Sequence, residues 1–340
     1  MKRILVVNVN WLGDVIFSSP VFRALRQHNP DAHIACMAVP RVKEILECIQ
    51  EIDEIIEYDE EGQHKSIWSK LKFVGDLKRK RFDEAFFLSR SFSRVLMIAL
   101  ANIRQRIGYD HKNRGKFLTH IVDKPADGIH RSEYYLNVIK SYGITVNDAQ
   151  TVLSVPPKEE SGIQKMFETQ GIQSSDYVIA LNPGGNWGLK RWPAQNFSRL
   201  IDILNTNKNA KLLITGSDKD TALVNQICSN LQTSNVPMIF TGKLSLKQLL
   251  ALLKKVNLFI SADSGPLHMA SSVGCSCIAI FGPTRPELTG PRGKIDPIIL
   301  QKEVGCNKKA CYFLECEDNT CMQAVTAEDV YAAVRQVQNS

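Results

Sequence analysis

The stretch Tyr177-Val-Ile-Ala-Leu-Asn-Pro-Gly-Gly-Asn-Trp-Gly-Leu-Lys-Arg-Trp-Pro193 carries the fold in miniature. Tyr177 to Asn182 is a short β-branched and apolar run, the length of a buried strand rather than a helix. Pro183 ends it, the glycine pair allows a tight turn, and Pro193 suits the first turn of a helix. The helical pattern then runs from Ala194 to Asn205. Working outward, Lys211 to Thr215, Met238 to Thr241, Asn257 to Ser261 and Cys277 to Phe281 also read as strands. Helical patterns at Thr221 to Leu231 and Leu246 to Lys254 lie between them. Upstream the scheme is the same: strands at Ile4 to Val9, His33 to Ala38, Ile55 to Tyr58, Glu84 to Leu88 and Arg106 to Tyr109, with helices such as Pro20 to His28 and Ile67 to Arg79. Strands alternating with helices of this length predict an α/β protein, with parallel sheets covered on both faces.

The break falls at Ser154-Val-Pro-Pro-Lys-Glu-Glu-Ser161, two prolines followed by charge. Two Rossmann-like halves are expected, residues 1–155 and 160–325, with a ligand cleft between them and a closing helix in 326–340. A chain of 340 residues is long enough for two cores. Its 44% hydrophobic and 23% charged content exclude collagen-like, fibrous and disordered classes. The net charge of +7 suits an anionic ligand or surface and is too small to argue for duplex nucleic acid. The best apolar run, Val95 to Ile103, is short of a membrane span and broken by Asn102. The N-terminus reads as a first strand and not a signal peptide, so a cytoplasmic protein is expected. Cys36, Cys48, Cys228, Cys275 and Cys277 then read as reduced buried thiols.

In parallel sheets of this kind ligands sit beyond the carboxyl ends of strands, so chemistry is sought there. The first strand ends in Asn8-Val-Asn-Trp-Leu-Gly-Asp-Val15. Gly13 alone does not make the glycine fingerprint of a dinucleotide site, and an NAD or FAD reading loses its support. From position, Asp14 is open to two readings, a helix cap or a general base. Gly184, Gly185 and Lys190 follow the Tyr177 strand; they read either as a glycine turn with solvated cations or as a phosphate cradle, though not a P-loop. Asp218 and Asp220 rank as caps first, ribose ligands second and metal ligands third. Asp263, Ser264, Gly265 and Pro266 turn the Asn257 strand into a helix whose N-terminus suits a phosphate, with His268 in its first turn. Together these strand ends point to a phosphate-bearing ligand.

The set Trp11-Leu-Gly-Asp14, Asn182-Pro-Gly-Gly185, Lys190-Arg-Trp-Pro193, Asp263-Ser-Gly-Pro-Leu-His268 and Phe281-Gly-Pro-Thr284 resembles the family 9 glycosyltransferases, the ADP-heptose:lipopolysaccharide heptosyltransferases, and is nearest to the heptosyltransferase II branch. The resemblance covers nearly the whole chain. It implies a GT-B fold, two Rossmann-like domains facing across a cleft, the first binding acceptor and the second nucleotide sugar, with the closing helix packing back on the first. It implies inverting, metal-independent transfer of heptose from ADP-heptose to the inner core of lipopolysaccharide, with no cofactor. Asp14 falls on the family's catalytic base and Lys190 on its phosphate lysine. Asp263, Ser264, Gly265 and His268 fall on the nucleotide-sugar loop. Asp220 stands where a ribose-binding glutamate is usual, which is a departure. Acceptor binding by the first domain makes Arg90 and Arg114 its candidates.

The cations Lys65, Lys70, Lys72, Lys78, Arg79, Lys80 and Arg81 flank an apolar stripe of Ile67, Leu71, Val74 and Leu77. They read as a solvated face or as contact with anionic lipid or a phosphorylated acceptor, placing the protein peripherally at the cytoplasmic face of the inner membrane. Cys306, Cys311, Cys316 and Cys321 are evenly spaced; reduced thiols, a structural metal site and disulfides all remain open. Two other functions stay in view: another nucleotide-sugar enzyme of this fold (a different donor, or an epimerase), and a non-catalytic nucleotide-sugar binder.

Overall fold

A computed structural model describes the chain apart from residues 207–209, 307–310, 312–315, 317 and 340. It divides into two compact units, Met1–Ser154 and Val155–Ser340.

The first unit holds β1 (Arg3–Val7), β2 (His33–Ala38), β3 (Glu54–Glu57), β4 (Glu84–Phe87), β5 (Gln105–Tyr109) and β6 (His120–Val122). They form one parallel sheet in the order β3-β2-β1-β4-β5-β6. The second unit holds β7 (Val178–Asn182), β8 (Lys211–Ile214), β9 (Met238–Ile239), β10 (Leu258–Ala262), β11 (Ser276–Ile280) and β12 (Ile298–Leu300). Their order is β12-β11-β10-β7-β8-β9, also all parallel. Counted from its own first strand, each sheet has the doubly wound order of a Rossmann fold. Winding reverses between β1 and β4 in the first unit and between β7 and β10 in the second. Those two points are where the sheet edges part and a ligand fits.

The central strands are apolar on both faces because helices cover both. Leu5, Val7, Ala85 and Phe87 pack into one core of the first sheet. Ile179, Leu181, Ile260 and Ile278 do so in the second. Five strands were expected in each half and six are found. The strands missed, β6 and β12, have three residues each and sit at sheet edges. Three residues are too few to make an apolar run that stands out from its surroundings.

The closing helix, Ala327–Gln338, adds its apolar residues to the core of the second unit. Val330, Ala333 and Val334 belong to the core of the second unit, against the helix Ala194–Thr206. The Trp192 indole donates to the Val325 carbonyl at 2.7 Å just before it.

Candidate active site

In the first unit the switch point carries a cavity of about 400 Å³. Its wall comes from the turn after β1 (Asn10, Trp11, Asp14), the turn after β4 (Ser89, Arg90, Ser91) and the helices Phe92–Leu100 and Arg131–Lys140. Asp14 lies in the first turn of the helix Leu12–Phe17, whose cap residue is Trp11, with no side-chain cap bond. Asp14 is thus free of the capping duty that position alone allowed. The Tyr135 hydroxyl donates to its Oδ1 at 2.7 Å, and Arg131 Nε stands 3.6 Å from the same oxygen. Burial first, and then the charge of Asp14, pushes the Tyr135 phenol well above the usual tyrosine range. Tyr135 therefore stays protonated and can only donate to the carboxylate. The Asp14 side chain keeps 30% of its surface exposed, toward the cavity it lines.

Arg94 and Glu60 build the far wall. Arg94 is 1% exposed and donates to the Asn8 carbonyl, Asn10 Oδ1 and Glu60 Oε1 at 3.2, 3.0 and 3.2 Å. Its remaining terminal nitrogen, Nη2, has no hydrogen-bond partner among the described residues. That nitrogen is itself buried and the guanidinium lies over the Tyr58 ring at 5.7 Å, so Arg94 braces the turn after β1.

Of the two arginines expected to meet an acceptor, the structure separates the roles. Arg90 is exposed, lines the cavity and lies over the Tyr134 ring at 5.3 Å. Arg114 is 0% exposed and is not among the residues that line this cavity. It donates to the carbonyls of Tyr109 and Ser89 at 2.8 and 2.7 Å and of Ser91 at 3.3 Å. Burial pulls its guanidinium down to about 10, still cationic at neutral pH. Its work is to fix the turn that presents Arg90.

In the second unit the switch point is closed by an ion pair across it. Lys190, on the short 3-10 turn Gly188–Lys190 after β7, reaches Asp263 Oδ2, after β10, at 2.6 Å. Thr284 donates to the same oxygen at 2.8 Å, and His268 Nε2 is 3.4 Å from Oδ1. Burial would raise the Asp263 carboxyl, but the His268 hydrogen bond and the Lys190 charge outweigh it and hold it well below the usual carboxylate range. Asp263 is a fixed anion that positions Lys190, which keeps 23% of its side chain exposed. His268 is 4% exposed and turned onto Asp263.

Ser264 caps the helix Gly265–Ser272 by accepting from the Leu267 amide. The helix's positive end therefore begins beside the Lys190–Asp263 pair. Asp220 takes its first-ranked reading, the cap. Ser217 donates to it through both amide and hydroxyl at 2.9 and 2.7 Å, and Arg191 approaches at 3.4 Å. Gly184 is required beside it, since a Cβ there would lie 2.4 Å from the Asp220 carboxyl carbon. Gly185 accepts two hydrogen bonds from Arg191 and has open space where its side chain would be.

Of the C-terminal run, Cys306 and Cys316 are exposed and Cys311 and Cys321 are half-buried. Most residues between Cys306 and Cys316 lie outside the described ones. Among the described residues no group of three or more His, Cys, Asp or Glu is arranged to hold a metal. Nor is any described helix long and apolar enough to cross a membrane.

Known proteins place this geometry in context. The family described as Glycosyltransferase family 9 (heptosyltransferase) matches residues 70–316. Lipopolysaccharide heptosyltransferase 2 of Escherichia coli K12 is 28% identical over 298 residues, 85% of each chain. Lipopolysaccharide heptosyltransferase 3 of Escherichia coli is 29% identical over 280 residues, 80% of this chain and 81% of that one. The solved structure of E. coli ADP-heptose LPS heptosyltransferase II superposes with a TM-score of 0.81 at 23% identity, covering 99% of this chain and 98% of that one. The two-sheet architecture is accordingly that of the GT-B heptosyltransferases.

Proposed function

We propose, from the premise that the chain belongs to glycosyltransferase family 9 and is a glycosyltransferase, that it moves heptose from ADP-heptose to the inner core of a lipopolysaccharide precursor, with inversion and without a metal. The observation that carries this reading is the Asp14 carboxylate, held on one oxygen by Tyr135 and open to the cavity. Inverting transfer needs one base and no covalent nucleophile. The acceptor hydroxyl loses its proton to Asp14 as its oxygen bonds to the anomeric carbon. The bond from that carbon to the diphosphate oxygen breaks, and ADP leaves with the electron pair. The growing charge on the diphosphate falls to Lys190, the amides of Ser264 and Gly265 and the helix N-terminus, preorganised cationic and dipolar groups that need no ion. Arg90, exposed on the cavity wall, suits the anionic groups of the acceptor. The relatives named for lipopolysaccharide heptosyltransfer, and the structure named for ADP-heptose, support the choice of donor and acceptor. Because the acceptor is a lipid, the enzyme works peripherally at a membrane surface.

The test is ADP release from a panel of nucleotide sugars, with and without a Kdo–lipid A acceptor and with and without chelator. Release from ADP-heptose that requires acceptor and survives chelator supports the reading. Turnover of donor without acceptor points to an epimerase-like enzyme. Loss of activity with chelator, mirrored by Asp218→Ala, brings the metal reading of Asp218 and Asp220 back.

A further inference from the structure

The helix Ile67–Lys80 does not use its apolar residues as its sequence stripe suggests. Only Phe73 and Leu77 are buried, and Val74 is half-buried. Ile67, Leu71 and, outside the stripe, Trp68 stand 65, 49 and 77% exposed. At 100° per residue these three share one outward face. Continuing along the same face come Lys72, Lys78 and Arg79, all exposed, with Lys65 just ahead of the helix. Asp76 is the acidic residue of this helix, and it pairs with Arg79.

We propose that this face is a membrane-docking surface, with Trp68, Ile67 and Leu71 entering the interfacial zone of an anionic bilayer. A solvated helix face explains cations but not a tryptophan and two aliphatic side chains left in water beside them. Aromatic and aliphatic residues on one face, bordered by Lys and Arg, are the composition of an interfacial helix. The cations commit the occupant to an anionic surface, since each basic group near such a surface adds attraction. Ser66 caps the helix by accepting from the Ser69 amide, so its first turn, which holds Ile67 and Trp68, is formed before any lipid is met. Glu60, on the wall of the Asp14 cavity, lies in the loop leading into this helix. Docking there brings the cavity to the plane where a lipid-anchored acceptor presents its sugars. The purpose of the surface rests on the transferase reading; its physics does not, and binding is measured with no sugar present.

The experiment is co-sedimentation of the full chain with vesicles of phosphatidylcholine alone or mixed with phosphatidylglycerol. Binding to the anionic vesicles is expected to exceed binding to neutral ones and to weaken with salt. Trp68→Glu should lower the partition about tenfold or more. Lys72→Ala, Lys78→Ala and Arg79→Ala together should lower it about a hundredfold and erase the anionic preference. Both variants should melt like the parent, since the altered side chains are exposed. Absence of vesicle binding, equal binding to both vesicle types, or a Trp68→Glu variant that binds like the parent would each overturn the proposal. So would self-association that Trp68→Glu abolishes while vesicles are ignored, which would assign the face to a second copy of the chain. If vesicle binding behaves as expected but acceptor-dependent transfer is not found, the surface stands and the reaction falls.

Discussion

The Tyr135 hydroxyl and the Asp14 carboxylate, 121 residues apart in the chain, meet at 2.7 Å on the wall of the first unit's cavity. A buried phenol that stays protonated gives the carboxylate one constant donor. It ties down one carboxylate oxygen, and the other is left to receive a proton. Arg131, on the same helix as Tyr135, adds positive charge at 3.6 Å. Arg90, Arg94 and Glu60 face the same cavity.

Tyr135→Phe removes a donor to the ionised carboxylate, and such donors favour the ionised form. Without it one Asp14 oxygen loses the bond that holds it in place. A hydrogen bond to a charged group is worth about 1.5–3 kcal/mol, so kcat should fall about tenfold or more with little change in the KM for donor. Steady-state kinetics of the variant check this, and an unchanged kcat would remove Tyr135 from the positioning of the base.

Lys190→Ala should act on donor and on stability together. It removes the cation set against the leaving diphosphate, and it strands Asp263 as a buried carboxylate. A loss of kcat/KM of roughly a hundredfold is expected, the scale of one preorganised charge contact. The melting temperature should fall as well, because an uncompensated buried charge is costly. Unchanged kinetics would take Lys190 out of the site.

The Asp263 carboxyl lies below its ordinary value in the folded protein. Its contribution to stability is therefore fully present above the unfolded carboxylate range, near pH 4, and is lost as pH falls through the folded value. Asp263→Asn should destabilise the protein by about 2 kcal/mol at neutral pH, the scale of hydrogen bonds to a charge. The gap between parent and variant should narrow as pH drops below about 4. Urea midpoints measured from pH 7 down to pH 3 check the sign.

Gly184→Ala places a Cβ 2.4 Å from the Asp220 carboxyl carbon, nearer than any real contact. Either the turn after β7 or the Ser217–Asp220 cap must move, at about 1–3 kcal/mol for a forced overpacking. Asp220→Ala costs its own cap but should recover part of the loss when added to Gly184→Ala. A double-mutant cycle on thermal unfolding measures that coupling.

Much of the fold was legible because central parallel strands are apolar on both faces, and runs such as Val178–Asn182 and Leu258–Ala262 stand out from their surroundings. The short edge strands β6 and β12 were not legible, since three residues with mixed burial make no pattern. Site residues at the turns after β1, β7 and β10 could be found because glycines and charges punctuate strand ends. Tyr135 could not: it sits mid-helix, with its partner 121 residues away, and only folding brings them together. Thr284 is an intermediate case, since the tight turn Phe281-Gly-Pro-Thr284 was visible but not its bond to Asp263. Arg114 and His268 show the limit of charge as a guide. Both carry the residue type of a ligand contact, and both are buried against partners of their own chain.

The most direct measurement of the central claim compares the parent with Asp14→Asn in single turnover, with ADP-heptose and a Kdo–lipid A acceptor, following ADP and transferred heptose together. In the parent, ADP and product should form in equal amounts. The variant should slow both by roughly a hundredfold or more, the scale of a lost general base, while donor affinity is unchanged. Near-parental turnover in Asp14→Asn, or ADP formed at full rate without acceptor, would contradict it.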